Sequence, residues 1–189
     1  MISDRPLRAD ARRNRAKVLK AAGAVFARDG LSVSTEEIAK AAGVGVGTVF
    51  RHFPTKESLL SAVFMDLLRG LAEQAEELTA AEDPGAAFFT FLNRVAGSAE
   101  TKISLANALA EVGVDVRDAT EDAAGALRGA MAVLLRRAQR AGSVRADVGV
   151  PELIAVLVGA SRAAEYVVGD DALRSRSVAI VLDGLRPTR

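Results

Sequence analysis

The sequence predicts an all-α fold, and three observations carry that reading. Alanine, leucine and charged residues dominate while aromatic residues make up only 4% of the chain, a composition that favours helix over sheet. Apolar residues recur at helical spacing, as at Phe88, Phe91, Leu92 and Val95, which follow i, i+3, i+4, i+7. Helix start and stop signals punctuate the same stretches: Ser34 with Glu37, Gly43, Gly142 and Pro151. With 189 residues the chain is long enough to bury a real core, as one domain of good size or two small ones.

Composition also removes whole classes of chemistry. Cysteine is absent and there is one histidine, which leaves no disulfide framework, thiolate zinc site, cysteine nucleophile or multi-histidine metal centre. No cofactor and no metal are expected. No apolar run approaches the ~20 residues needed to cross a bilayer, and the N-terminus is charged without an apolar signal core, so a soluble cytoplasmic protein with no membrane partner is expected. Charge is distributed unevenly: residues 1–60 carry eleven Lys/Arg against six Asp/Glu, and residues 61–189 carry fourteen against eighteen. A basic first third suits a polyanion, whereas the acidic remainder would be repelled by one.

Residues 1–10 are polar, contain Pro6, and read as a disordered segment or mobile arm whose Arg5 and Arg8 are either solvated or reach a neighbouring groove. A first helix is expected over 12–29, with Val18, Leu19, Ala22, Val25 and Phe26 inward and Gly30 ending it. Arg12, Arg13, Arg15 and Lys17 crowd its first turns, where the helix dipole prefers acids, so a use other than helix stability is implied, phosphate contact being one. Ser34 and Glu37 have the S/T-x-x-E spacing of a capping box, which starts a second helix with Ile38, Ala39 and Ala42 on one face and Gly43 at its end. A third helix over 46–53 follows after a short turn. Val49 and Phe53 point inward together, leaving Val46, Gly47, Thr48, Arg51 and His52 nearer the outside. Two helices at a steep angle across a glycine-containing turn form a helix-turn-helix, the unit that places its second helix in the DNA major groove; an ordinary helical hairpin is the alternative on spacing alone.

Pro54 closes the third helix and Thr55 caps a long fourth, striped by Leu59, Leu60, Val63, Phe64, Leu67, Leu68 and Leu71. Its polar tail runs into a loop at Glu82, Asp83, Pro84 and Gly85. A fifth helix is expected over 86–96, its Phe88 and Phe91 reading as core or as the wall of a ligand cavity. In a short sixth helix over 102–111, Asn107 shares a face with Ile103, and an amide on an apolar face needs a partner that a bound small molecule could supply. After an irregular stretch over 112–119, a seventh helix over 121–141 turns Leu127, Met131, Leu134 and Leu135 inward, with Arg136, Arg137 and Arg140 near its C-terminus, where cations suit the dipole. Pro151 opens an eighth helix and residues 171–185 form the last. Both are apolar over much of their circumference and must be covered on more than one side, by each other, by the core or by a second copy. The C-terminal part lacks His and Cys, and Arg162 with Glu165 reads as an i,i+3 surface pair rather than an acid/base site, so catalysis is not expected.

The stretch AAGVGVGTVFRHFPTKESLL, with TEEIA before it and a basic helix ending FARDG before that, resembles the DNA-binding domain of the TetR family of bacterial transcriptional regulators. The likeness runs from about Arg12 to Leu68; beyond it the chain is similar only in the order and length of its helices. The resemblance implies an N-terminal helix-turn-helix domain over 1–54 and a C-terminal helical regulatory and dimerisation domain over 55–189, connected by the fourth helix. It further implies a homodimer whose last two helices pair with their symmetry mates, binding double-stranded operator DNA as a repressor and released by a small-molecule effector. Carried over position by position, it implies that Thr35 contacts phosphate, that Val46, Gly47 and Thr48 face base edges, that Arg51 reads guanine or touches phosphate, and that His52 and Lys56 grip the backbone. Phe50 departs from the pattern, standing where the family most often has tyrosine; the phosphate hydrogen bond of that hydroxyl is missing and apolar contact with the sugar backbone remains. Candidate effector-lining residues are Phe88, Phe91, Asn107, Met131 and Arg162. Two other functions remain open on sequence: a helical small-molecule-binding protein, and a DNA-binding dimer without an effector.

Overall fold

A computed structural model describes residues 4–164 and 170–187, with the side chains of residues 4–8, 117–119, 162–164 and 171 left out. The described residues form nine helices and no strand: α1 (Asp4–Asp29), α2 (Thr35–Ala42), α3 (Val46–His52), α4 (Lys56–Leu78), α5 (Pro84–Gly97), α6 (Ala99–Glu111), α7 (Val116–Arg140), α8 (Val150–Ala164) and α9 (Asp171–Asp183). The all-α expectation is met. They divide into two compact units, one of residues 1–67 and 101–120, the other of residues 68–100 and 121–189. Residues 1–54 lie wholly within the first unit, and residues 55–189 are shared between both.

In the first unit, α1 lies against α2 and α3 through the expected stripe, with Val18, Leu19, Ala22, Val25 and Phe26 all buried. Short helices are marginal without chemistry at their ends, and α2 has it at both. The Ser34 Oγ accepts from the Glu37 N–H at 3.2 Å, and the Glu37 carboxylate accepts from the Ser34 N–H at 3.0 Å. Gly43 closes the helix in the left-handed region at φ 66°, where a side chain would be strained. α3 is anchored by fully buried Val49 and by Phe53, which follows its last residue. Thr55 and Ser58 then cap the start of α4 reciprocally: the Ser58 N–H donates to Thr55 Oγ1 at 3.1 Å and the Thr55 N–H to Ser58 Oγ at 3.2 Å. Along α4 the apolar stripe is buried throughout except at half-buried Leu67.

Four helix starts differ from expectation. α1 begins at Asp4, so residues 4–10 are helix rather than a mobile arm. Pro6 falls in its first turn, where the missing N–H breaks no intrahelical bond. α5 takes in Pro84 and Gly85, because Asp83 is the cap, accepting from the Ala86 N–H at 2.9 Å, and Pro84 occupies the favoured first position. α6 starts at Ala99, which is buried, immediately after the Ser98 cap of α5. α7 starts at Val116, and buried Thr120 satisfies its hydroxyl by donating to the Val116 carbonyl at 2.6 Å.

In the second unit, α5 packs against α8 and α9 with Phe88, Phe91 and Leu92 fully buried. The C-terminal turns of α7 organise two loops. The Arg137 guanidinium donates to the Ala81 carbonyl at 3.0 Å, and the Gln139 amide donates to the carbonyls of Arg145 at 3.0 Å and Val148 at 2.8 Å. Arg137 therefore does more than complement the helix dipole. Gly85 sits so close to the chain after α7 that a Cβ there would lie 2.5 Å from Ser143 Oγ and 2.7 Å from its Cβ. Close approach, not turn geometry, accounts for this glycine. Leu182 and Leu185 are buried at the end of the chain, and the Arg186 guanidinium lies 4.3 Å from the Phe89 ring centroid.

Candidate nucleic-acid interface

The surface of interest is the outer face of α3. Val49 and Phe53 fix the inward side of the helix, which settles where its other residues lie. With about 100° between successive residues, the exposed positions follow one another round the helix as Val46, Phe50, Gly47 and Arg51. Val46 is 38% and Phe50 46% exposed, large values for apolar side chains. Thr48 is half-buried at the edge of this arc, and its backbone N–H donates to the Gly45 carbonyl at 2.8 Å. His52 is half-buried as well, its ring tilted against Phe53 with centroids 6.3 Å apart. Thr35 is the half-buried first residue of α2, and Lys56 the exposed first residue of α4.

Among the described basic side chains of α1, Arg28 bonds its neighbour Asp29, and Arg13 and Arg15 also have internal partners. Arg13 is ion-paired with Asp10 one turn earlier, and the Arg15 guanidinium sits 5.3 Å from the Phe53 ring centroid, tying α1 to the end of α3. Arg12 and Lys17 are exposed. Sequence reasoning did not find the role of Arg15, because its partner lies 38 residues away and no local spacing links them. It also left Phe50 out of the residues nearer the outside, whereas the helix turn sets it, exposed, between Val46 and Gly47.

The candidate effector residues are drawn from both units. Phe88, Phe91 and Met131 belong to the second unit and are buried core side chains. Asn107 belongs to the first unit and is exposed; α6 turns Leu105 and Leu109 inward instead, so the amide has no buried need for a partner. The Arg162 side chain, and Glu165 altogether, lie outside the described residues. Among the described residues no group of three or more His, Cys, Asp or Glu could hold a metal ion, and no helix is long and apolar enough to cross a membrane.

Residues 18–63 match the model of bacterial regulatory proteins of the tetR family, and residues 83–187 match that of the C-terminal domain of SbtR-like transcriptional regulators. The chain is similar to a TetR transcription regulatory protein from Mycobacterium vanbaalenii at 44% identity, covering 96% of this chain and all of that one, with a TM-score of 0.77. It is also similar to a TetR transcriptional regulator from Streptomyces coelicolor at 30% identity, covering 93% of this chain and 99% of that one, with a TM-score of 0.74. A capped α2, a glycine turn and an exposed face on α3 thus stand in a chain that is similar to such regulators over almost its whole length: it belongs to the TetR family of bacterial transcriptional regulators and is not an enzyme.

Proposed function

We propose that this chain is a ligand-responsive repressor that binds a palindromic operator in the cytoplasm as a homodimer and is released from it by a small-molecule effector. The observation that carries the DNA step is the exposed arc of α3, in which the only long polar side chain is Arg51. In this reading residues 1–54 are the reading head and residues 55–189 the regulatory and dimerisation part. Thr35 meets a phosphate at the start of α2, Val46, Gly47 and Thr48 face base edges, Arg51 reads guanine, and His52 and Lys56 hold the backbone. Phe50 adds apolar contact.

Dimerisation through α8 and α9 is supported by what they leave uncovered in one copy: Val158 is 51% and Ile180 73% exposed. A twofold contact between these helices would cover both side chains on each subunit. The same symmetry presents two reading heads to half-sites about one helical turn, ~34–36 Å, or a multiple of it apart. Release is a population shift, in which an effector held in the C-terminal part favours a spacing of the heads that no longer fits the operator. Phe88, Phe91 and Met131 are the side chains proposed to meet it, with Asn107 and Arg162 as the polar candidates. Because the first three are buried, the effector must bind a state in which their packing has opened.

That burial also favours a second reading, a DNA-binding dimer without an effector. A screen for compounds that release the protein from its operator separates the two, since an effector-free regulator binds and is never released. The reading head is tested by Arg51→Ala, which is expected to lower operator affinity by about 1–3 kcal/mol and relax one base position. An unchanged footprint and binding curve would reject the assignment.

A further inference from the structure

The middle of the exposed arc is apolar, and its chemistry is specific. A helix of ~10–12 Å diameter fills a major groove ~12 Å wide. Its exposed face therefore meets the base edges of the groove floor as well as the phosphate walls. Opposite buried Val49 stand Gly47 and Arg51, and Phe50 follows Gly47 round the helix towards Val46. Gly47 has no side chain, so apolar contact with the floor beside Arg51 falls to the Phe50 ring.

Nothing inside the protein requires glycine at position 47. Its φ is not positive, and a Cβ built on it meets no atom within 4 Å. Within a helix, glycine is less favourable than alanine by about 1 kcal/mol, so α3 gives up helix stability at a position open to the outside. A notch beside an exposed aromatic ring suits close approach of another surface at that point. Phe50 itself has neither donor nor acceptor to offer a base. Of the groups that base pairs present in the major groove, only the thymine 5-methyl is apolar.

Resting on the reading of α3 as the DNA-reading helix, we infer that Phe50, seated by the Gly47 notch and flanked by Val46, selects a thymine 5-methyl group in each half-site. Phe50 is on this account a base-reading residue rather than a sugar-backbone contact. It supplies sequence discrimination that Arg51 and Thr48 do not.

The test uses the full-length protein and the tightest duplex selected from random-sequence DNA, with each thymine replaced in turn by uracil. This removes the 5-methyl group and leaves base pairing intact. One thymine in each half-site is expected at which the replacement weakens binding about fourfold, the size of one methyl group returned to water. Phe50→Ala, at an exposed position that leaves thermal unfolding unchanged, is expected to bind the thymine and uracil duplexes equally at that site. Gly47→Ala is expected to weaken binding to both duplexes while raising the melting temperature of the free protein. Uracil tolerated at every position by the wild type, or Phe50→Ala retaining the thymine preference, would overturn the inference. If no sequence is enriched at all, the DNA-reading assignment of α3 falls, and this inference falls with it.

Discussion

The pair α2 and α3 and the helix α5 solve the problem of staying folded in different ways. α2 and α3 have eight and seven residues, and between them bury only Ile38, Ala39 and Val49 within the helices. Their ends are held by chemistry: the Ser34–Glu37 box, left-handed Gly43, and Phe53 stacked under Arg15. α5, with fourteen residues, buries Gly85, Ala87, Phe88, Phe91, Leu92 and Val95, and so rests on packing. The short helices keep most of their side chains free for a partner, whereas α5 offers few. Function at the surface and stability in the core are thereby assigned to different elements.

Substitutions can break or sharpen this contrast. Phe91→Ala should have the largest effect, lowering stability by about 3–5 kcal/mol in denaturant unfolding, because a fully buried ring leaves a cavity. The same change at exposed Phe50 should alter stability by less than about 0.5 kcal/mol. Equal losses at the two sites would erase the distinction. Gly85→Ala should destabilise by about 1–3 kcal/mol through the clash with Ser143, and Ser143→Gly in the same chain should recover most of that loss. No recovery would mean that the close approach is not the cause.

At the ends of the short helices the expected effects are smaller. Ser34→Ala should cost about 1 kcal/mol in thermal or denaturant unfolding, the usual loss of a cap. The Glu37 carboxyl is held below its ordinary value of 4.5, first by the Ser34 N–H and then by the Ser34 hydroxyl, both of which stabilise the charged form. Its contribution is therefore present above the ordinary carboxylate value and is lost as pH falls through the lowered one. The stability gap between wild type and Glu37→Gln should be seen at neutral pH and close in acid; a gap that widens in acid would contradict the capping role.

What was legible in the sequence follows from the range of the physics. The caps at Ser34, Gly43 and Thr55 and the stripe from Val18 to Phe26 depend on residues within a few positions of one another, and each reads directly onto the fold. The start of α1 is not legible, because a polar stretch containing Pro6 reads as a disordered segment or arm, whereas Pro6 lies in a first turn. Arg15 over Phe53 and Gly85 against Ser143 were invisible because their partners are distant in sequence. At Asn107 the periodicity allowed more than one inward face, and burial of Leu105 and Leu109 decided it. Phe88 and Phe91 show a further limit, since an apolar stripe specifies that side chains are covered but not whether they are covered by protein or by ligand.

The most direct test of the account is binding of the intact protein to duplex DNA flanking its own gene, measured as a function of salt. The account predicts a sequence-specific complex whose affinity falls steeply with salt, by a log–log slope of about 0.9 per phosphate neutralised, and which a scrambled duplex does not match. No binding, or equal affinity for the scrambled duplex at every salt concentration, would contradict it.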